Sequence, residues 1–357
     1  DEGEVAAALA SLLRAVGEEQ PLLLAIDDAA SADGATLRAL HAALRGLGDV
    51  PLLVFLTLVP PAPDTPPALL ALLGDLGRGL EGALLTLESF TDAEIAELVA
   101  ASARWCATPE DRARLARRLA FETGGDPLLC TTLLDSLQEL TAAREDLLQW
   151  PPPQLTLESP LPVPVPVVVH SLLLARLAGL DAGDRRVLGA AALTGERIDE
   201  ALVAAMLDVG AEVVAPALAR LERARLVEAT EDGYRFGAPL LARLLLHTCL
   251  ASAERRQCAR RGAELLAVSA DPARQLLRCE LELEQGSAHA PEAARTVLAL
   301  SRSAGVALPR AARRVVERAA DALRALPGKE PARQPLLVEL DELRERLRAA
   351  AADERGR

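Results

Sequence analysis

The chain has almost no lysine and few aromatic residues. Lys329 is the single lysine among 357 residues, so arginine supplies almost all of the positive charge, and aromatic residues make up only 2%. Acidic side chains outnumber basic ones, which gives a formal net charge of −13. Binding nucleic acid over a broad surface requires clustered Lys and Arg against the phosphates. The composition therefore argues against such a surface, and it predicts helices with a core of Ala and Leu.

Cysteine pairs and long apolar runs are also missing. The five cysteines are widely spaced and include no C-x-x-C, so we expect neither a disulfide framework nor a zinc site. Free cysteines of this kind are typical of a protein in a reducing compartment. No apolar run reaches the length of a membrane span. The N-terminus begins with acidic residues and lacks the basic region of a signal peptide. These absences predict a cytoplasmic protein that makes no use of a membrane.

The first ninety residues predict a small α/β arrangement. Helical patterns at 4–16 and 35–47 alternate with apolar runs at 21–26 and 51–59, of the kind that is buried on both faces of a parallel sheet. Residues 83–87 are a candidate third strand, and the prolines of 60–67 predict a loop. Because two or three strands make a poor sheet, we expect further strands upstream of residue 1. An apolar sheet edge would then be exposed where those strands pair, which is an aggregation hazard.

Beyond residue 90 the pattern is helical, with one hairpin. Asp126 and Pro127 are placed to cap and open a helix after Gly124 and Gly125. The Asp232-Gly233 turn predicts a hairpin after several helices, which is the outline of a winged helix. We predict a mainly α protein with an N-terminal α/β piece, divided as follows: 1–89, a truncated P-loop α/β piece; 90–149, a helical lid; 150–167, a proline-rich linker; 168–250, a winged-helix-like domain; 251–357, an α-helical array similar to tetratricopeptide repeats.

The stretch from residue 21 to 40 carries the most chemical information. Its apolar run ends on Asp27 and Asp28 and is followed by a turn and a helical pattern, which is the outline of a Walker B strand. Such carboxylates hold water-coordinated Mg²⁺. The phosphate-binding motif G-x-x-x-x-G-K-[ST] does not occur in these 357 residues. A strand end with solvent-facing carboxylates and no ligand is the alternative interpretation.

The order of these elements resembles the large ATP-binding regulators of the LuxR family, in the STAND branch of P-loop ATPases. The resemblance covers nearly the whole chain, and each motif taken alone is weak. The family's Walker B segment is matched at Asp27, Asp28, Ala32, Asp33 and Leu37. Its lid motif, roughly T-G-G-N-P, is matched at Thr123, Gly124, Gly125 and Pro127, with Asp126 in place of asparagine. Two phosphate-side positions depart from the family, since its histidine is Ala238 here and its arginine is Val59.

The resemblance implies a switch that binds ATP or ADP together with Mg²⁺. It assigns Asp27 to the metal, and it assigns to Asp27 and Asp28 either a catalytic role or the vestige of one. It assigns nucleotide contacts to Thr57, Gly125, Asp126 and Pro127, with the proline against adenine. Because the phosphate loop is missing, we expect no ATPase activity from this chain by itself. The helical array would bind a protein partner or ligand, DNA would be bound only through a helix-turn-helix that this chain lacks, and an oligomer is one expected state.

Two other interpretations stay open at the sequence level. One is a non-enzymatic interaction scaffold that uses only the helical array. The other is a winged-helix DNA binder that uses Arg220, Arg223 and Arg225, although acidic residues are mixed among them. The Gly125-Asp126-Pro127 segment is also an adequate helix cap without any ligand. Nucleotide titration separates the first alternative from the switch, and salt-dependent DNA binding tests the second.

Overall fold

A computed structural model describes residues 2–58, 65–144, 147–153, 156–157, 159, 161–304, 310–326 and 333–353. The chain divides into two compact units, Asp1–Glu88 and Ser89–Arg357. It is mainly helical with two small sheets, as the composition predicts. The predicted division into five segments is finer than this and stays a prediction. Val59 and most of the predicted loop at 60–67 lie outside the described residues.

The first unit is the predicted α/β arrangement with one additional helix. Its strands are parallel and in register from Leu22 beside Leu52 to Ile26 beside Leu56. A cluster of small and aliphatic side chains packs against Ile26 and Leu56. The elements in chain order are α1 (Glu2–Glu19), β1 (Leu22–Ile26), α2 (Gly34–Arg45), β2 (Leu52–Leu56) and α3 (Pro67–Gly74). The sequence analysis did not predict α3, which begins with a proline at its first position.

Two expectations for this sheet are wrong. The strands are not buried on both faces, because Leu23, Leu53 and Phe55 are 63%, 65% and 53% exposed. The described elements cover only the alternate side chains of each strand. Residues 83–87 form no strand, and their leucines extend into solvent without a neighbouring strand to pair with. The exposed apolar surface is therefore a sheet face and not only an edge.

The second unit begins with three helices, which we call the lid helices: α4 (Asp92–Ser102), α5 (Pro109–Thr123) and α6 (Pro127–Ala143). Thr91 and Thr108 form capping boxes at the starts of α4 and α5, with Glu94 and Asp111 as their partners. Gly124 ends α5 in the left-handed conformation. The predicted start of α6 at Asp126 and Pro127 is confirmed, because local capping chemistry determines it.

The winged segment follows, and its hairpin is the predicted one. Its elements are α7 (Val167–Ala178), α8 (Ala182–Ala192), β3 (Arg197–Ile198), α9 (Glu200–Leu207), α10 (Ala211–Arg223), β4 (Glu228–Thr230), β5 (Gly233–Arg235) and α11 (Pro239–Thr248). The strands form an antiparallel sheet in the order β3-β5-β4. The two-residue strand β3 was not predicted, because it is too short to show a periodic pattern. The segment's core joins Leu188, Val203, Leu218 and Leu245.

The C-terminal part is a helical array that has its own core from residue 276 onward, while its first helix packs in the core of the winged segment. Its helices are α12 (Ser252–Leu266), α13 (Pro272–Gln285), α14 (Ala290–Ala304), α15 (Arg310–Ala325) and α16 (Arg333–Asp353). Ion pairs tie neighbouring helices together. Arg314 lies 2.7 Å from Glu280, which joins α15 to α13, and Arg344 lies 2.6 Å from Glu317, which joins α16 to α15. Of the helices described, none is by itself long and apolar enough to cross a membrane. The one neighbouring pair that reaches this length together, α9 with α10, is bent by 116°.

Candidate functional site

The ends of β1 and β2 bring Asp27 and Thr57 together. Carboxyl ends of parallel strands share one edge of a sheet, which is where ligands bind in α/β proteins. The Thr57 hydroxyl donates to Oδ1 of Asp27 and accepts from the backbone N–H of Asp28 at 2.8 Å. The Thr57 carbonyl also accepts from Ala29 at 2.8 Å. Thr57 therefore fixes the backbone and the first carboxylate of this strand end.

Asp28 has an unusual backbone for a residue with a side chain. Its φ of 51° lies in the left-handed region, which non-glycine residues other than Asn and Asp seldom occupy. The Ser31 hydroxyl donates to Oδ2 of Asp28 at 2.5 Å and holds the side chain over the short 3₁₀ turn Ala29–Ser31. Strain of this kind gathers at functional sites, although it is observed elsewhere too. The turn leaves two neighbouring carboxylates exposed at the strand end.

The donor chemistry of this strand end suits Mg²⁺ with water and phosphate as its other ligands. Asp27 and Asp28 are both exposed. In the part of the chain that the structure describes, hydrogen bonds engage only Oδ1 of Asp27 and Oδ2 of Asp28, so each carboxylate offers one oxygen. Mg²⁺ is usually held by one or two carboxylates. Among the described residues, no cluster of three or more acidic, His or Cys side chains could hold a metal alone.

Asp33, another residue that matches the family motif, has a structural role. One of its carboxylate oxygens accepts from the backbone N–H groups of Ala35 and Thr36, both at 2.9 Å, at the start of α2. The Thr36 hydroxyl donates to the other oxygen at 2.6 Å. These hydrogen bonds, led by that of the Thr36 hydroxyl, lower the pKa of Asp33. Helix capping therefore accounts for Asp33 without a ligand.

The sequence analysis missed a histidine–aspartate pair in the first unit. Nε2 of His41 lies 2.9 Å from Oδ2 of Asp75, and Nε of Arg45 lies 3.6 Å from the same oxygen. The hydrogen bond from His41 lowers the pKa of Asp75, with a further contribution from Arg45. His41 and Arg45 are four residues apart on α2, which is the one sequence signal that could have suggested a shared partner. The partner stayed hidden because α3, which ends beside Asp75, was not predicted.

The turn that contains Gly125, Asp126 and Pro127 belongs to the second unit. Gly124 and Gly125 have φ of 59° and 81°. A Cβ at Gly124 would lie 2.0 Å from the carbonyl oxygen of Gly237, and one at Gly125 would lie 2.4 Å from that of Phe90. Both glycines are therefore required for conformation and for close backbone approach. They bring this turn against the segment that leads into α11.

Asp126 and Pro127 are well-formed capping residues that also present an open surface. Asp126 accepts from the backbone N–H of Leu129 at 2.9 Å, and Pro127 occupies the first position of α6. Pro127 is exposed, and so is Leu128, at 41%. Ala238, at the family's histidine position, is 3% exposed and packs in the core of the lid helices. The turn thus offers an apolar contact beside Pro127, and position 238 is a packing position here.

Glu122, which the sequence analysis did not single out, lies just before this turn and is fully buried. It is bonded to Arg118, one helical turn earlier, and to Arg243 on α11. The spacing of Arg118 and Glu122 is visible in the sequence, but it is also that of an ordinary surface pair. Only the tertiary structure shows that the pair is buried and shared with a third residue.

The arginines of the winged segment are partly engaged in packing. Arg220 donates to both carboxylate oxygens of the buried Asp184, at 2.6 and 2.8 Å. Arg223 donates to the carbonyl of Ala219, and Arg225 has a φ of 56° at the end of α10. Arg220 therefore joins α10 to α8. This ion pair favours a packing role for that residue over contact with DNA.

The cysteines are free thiols in apolar surroundings. Burial raises the pKa of the Cys249 thiol to about 11 and that of Cys279 to about 12. Thiols with pKa values this high are protonated at neutral pH and are therefore poor nucleophiles and metal ligands. They fill the core as small hydrophobic side chains.

Comparison with known proteins gives limited information. No protein-family model matches the chain, and no curated protein matches it. One solved structure with a detectable likeness is a Signal Transduction ATPase with Numerous Domains (STAND) protein with a tetratricopeptide repeat sensor, from Pyrococcus horikoshii. The match covers 99% of this chain and 45% of that chain, at 16% identity and a TM-score of 0.38. The chain thus spans less than half of that protein, and this TM-score is too low to assign a shared fold.

Proposed function

We propose that this chain is a fragment or a degenerate member of a nucleotide-switch transcriptional regulator of the LuxR type, in the STAND class of signalling proteins. The observation that carries the proposal is the strand end of the first unit. There a parallel sheet presents two carboxylates, Asp27 and Asp28, and a threonine hydroxyl, Thr57, at its carboxyl edge. The hydroxyl that links the Asp27 carboxylate to the Asp28 backbone, together with the left-handed backbone of Asp28, supports a functional interpretation of this strand end.

In this proposal each group has a defined task. Asp27 and Asp28 would hold Mg²⁺, which supplies positive charge to the phosphates of a bound nucleotide. Thr57 orients Asp27 by its hydrogen bond. Separately, in the second unit, Pro127, with Gly125 and Asp126 shaping its turn, is the proposed contact for an adenine. Catalysis of phosphoryl transfer is mostly positioning and charge stabilisation. Because these 357 residues contain no phosphate loop, we propose that the chain does not hydrolyse ATP at a useful rate by itself.

Calorimetry with adenosine, ADP and ATP, each with and without Mg²⁺, tests the proposal. Each lost charge-assisted hydrogen bond to phosphate costs about 1.5–3 kcal/mol, so binding should be weak, with adenosine and ATP nearly equal. Pro127→Ala should weaken binding of all three ligands. Pro109→Ala is its matched control, since Pro109 is also exposed at the first position of a helix.

The metal is tested separately. Any effect of Mg²⁺ on ATP binding should disappear in Asp27→Asn and persist in Glu18→Gln, which removes an exposed carboxylate elsewhere in the same unit. If none of the three ligands binds, the proposal is wrong. A clear preference for ATP over adenosine that persists in Asp27→Asn would reveal a phosphate site beyond the residues named here. Steady ATP turnover that Asp27→Asn abolishes would contradict the absence of hydrolysis.

A non-enzymatic interaction scaffold is the second candidate, and the C-terminal array favours it. Helices α13–α16 share a separate core and are joined by ion pairs between helices. Such an array is a rigid surface that can bind a protein partner whether or not the rest of the chain binds nucleotide. Failure of every nucleotide titration, in a chain that is folded by circular dichroism, would leave the scaffold as the better interpretation.

A further inference from the structure

A buried carboxylate joins two parts of the second unit. Glu122, in the last turn of α5, has no solvent exposure. Arginines from two different elements bond to it: Arg118 from α5 itself and Arg243 from α11, 121 residues further along the chain. A carboxylate at this depth must be paired, because an uncompensated buried charge is strongly destabilising.

Arg118 is held inside the lid region by several partners besides Glu122. It is 3% exposed, and its Nε donates to Oε1 of Glu122 at 2.9 Å. Its other nitrogens donate to the carbonyl groups of Thr156 at 3.0 Å and Ser159 at 2.7 Å. The guanidinium also lies over the ring of Trp150, 5.4 Å from its centre. Arg118 is therefore a fixed internal partner for Glu122.

Arg243 pairs with Glu122 in a different environment. Its Nη2 donates to Oε2 of Glu122 and its Nη1 lies 3.4 Å from Oε1, but its side chain is 47% exposed. Water and salt can therefore reach this partner and not the other. The pair lies beside the backbone contact between Gly124 and Gly237, where the turn before α6 meets the segment before α11.

We infer that Glu122 and Arg243 form a releasable latch between the lid helices and α11. Release of Arg243 returns its charge to water and leaves Glu122 paired with Arg118, so opening does not strand a buried carboxylate. After release, the apolar contacts of Ala238 and Leu240 with the core of the lid helices still hold α11 against these helices. The latch does not depend on a bound nucleotide, so the inference goes beyond the proposed function. It defines the place at which the turn at Pro127 can separate from the winged segment when Arg243 is released.

Hydrogen exchange on the full chain, without nucleotide, tests the latch. In Arg243→Gln, backbone amides of 122–130 and 236–248 should exchange about fivefold faster or more, a factor that corresponds to about 1 kcal/mol. Arg256→Gln, which changes an exposed arginine on α12, is the control and should leave these segments unchanged. Equal protection in Arg243→Gln and the wild-type chain would overturn the latch.

The salt dependence of hydrogen exchange distinguishes an ion-pair latch from purely apolar packing. Screening weakens a half-exposed ion pair but has little effect on apolar contacts. Raising NaCl from about 0.05 to about 1 M should therefore speed exchange in both segments of the wild-type chain and have no further effect in Arg243→Gln. Exchange that does not respond to salt in the wild-type chain would contradict the proposal.

Glu122→Gln supplies a contrasting result. It removes the buried negative charge that Arg118 faces within α5, so it should lower the melting temperature and change the emission of Trp105 and Trp150, the two tryptophans of the chain. Arg243→Gln should leave that emission unchanged. If Glu122→Gln does not fold, the Arg243→Gln and salt measurements still decide the question. Because no nucleotide is present, failure of the latch is distinguishable from failure of the proposed function.

Discussion

At the scale of single residues, charged groups in this chain act mainly through specific partners. Asp33 caps a helix, Asp184 anchors Arg220, and Glu122 joins two arginines. Asp27 differs from these, since its described partner is a hydroxyl at an exposed strand end. This contrast makes Asp27 the carboxylate best placed to take a ligand. It also means that a match to a family motif does not by itself identify a functional residue, as Asp33 shows.

The pair of His41 and Asp75 predicts a pH dependence of stability in the first unit. The pKa of Asp75 is lowered from its ordinary value of 3.8, so ionised Asp75 stabilises the folded unit above that value. This contribution is lost as the pH falls through the lowered folded-state pKa. Asp75→Asn should therefore be less stable than the wild-type chain at pH 7, with the difference shrinking below about pH 4.

Urea unfolding followed from pH 7 down to pH 3 measures this difference. Asp49→Asn, which changes an exposed carboxylate in the turn before β2, is the control. A difference between Asp75→Asn and the wild-type chain that stays constant with pH would show that the lost interaction does not depend on the ionisation of Asp75.

At the scale of elements, helix ends in the second unit are determined locally, while their contacts are not. Capping boxes at Thr91 and Thr108 begin α4 and α5, and the helix end at Gly124 and the helix start at Pro127 lie where the sequence pattern places them. The close contact of Gly124 with Gly237 depends on tertiary structure, because 113 residues of chain separate the two. One glycine can therefore serve both as a helix end and as a contact surface.

Gly124→Ala should be destabilising for both reasons. A non-glycine residue in a strained backbone region costs about 1–3 kcal/mol, and the new Cβ would also meet the Gly237 carbonyl at 2.0 Å. Gly195→Ala is the control, since its φ is also positive but a Cβ there meets nothing within 4 Å. Thermal unfolding of both variants should show the larger loss for Gly124→Ala. Equal losses would mean that the contact with Gly237 adjusts without cost.

At the scale of the whole molecule, the uncovered face of the first unit's sheet is the feature that most favours association between copies of the chain. Leu23, Leu53 and Phe55 form an exposed apolar face on two parallel strands. Exposed apolar faces and unpaired strand edges promote association. The formal charge of −13 opposes association by repulsion between copies, so the balance depends on salt.

We expect the purified chain to self-associate increasingly with concentration and with salt, and Phe55→Ser to reduce this. Val54→Ser is the matched control, because its side chain points to the covered face, so it should lower stability without reducing association. Sedimentation velocity at several concentrations measures both effects. A wild-type chain that stays a monodisperse, cooperatively melting monomer at high concentration would contradict this prediction.

The sequence by itself determined most of the helices, the strands β1 and β2, and the order of these elements. Apolar periodicity placed the helices and β1, capping residues placed helix ends, and the Asp232-Gly233 turn placed the hairpin, because each signal acts over a few neighbouring residues. It also located Asp27, Thr57 and the turn at Pro127 as candidates. The sequence analysis failed for α3 and β3, which are short, and for residues 83–87, where an apolar pattern found no partner strand.

Only the tertiary structure decided which residues meet. Three contacts join residues that are 30 or more positions apart in the sequence: Thr57 with Asp27, His41 with Asp75, and Arg243 with Glu122. The pairing of Glu122 with Arg118 is local, but its burial depends on the surrounding elements. Which face of the sheet is covered was likewise decided by packing. Local patterns report the preferences of single elements, whereas burial and ion pairing depend on which elements come together and how much water they exclude.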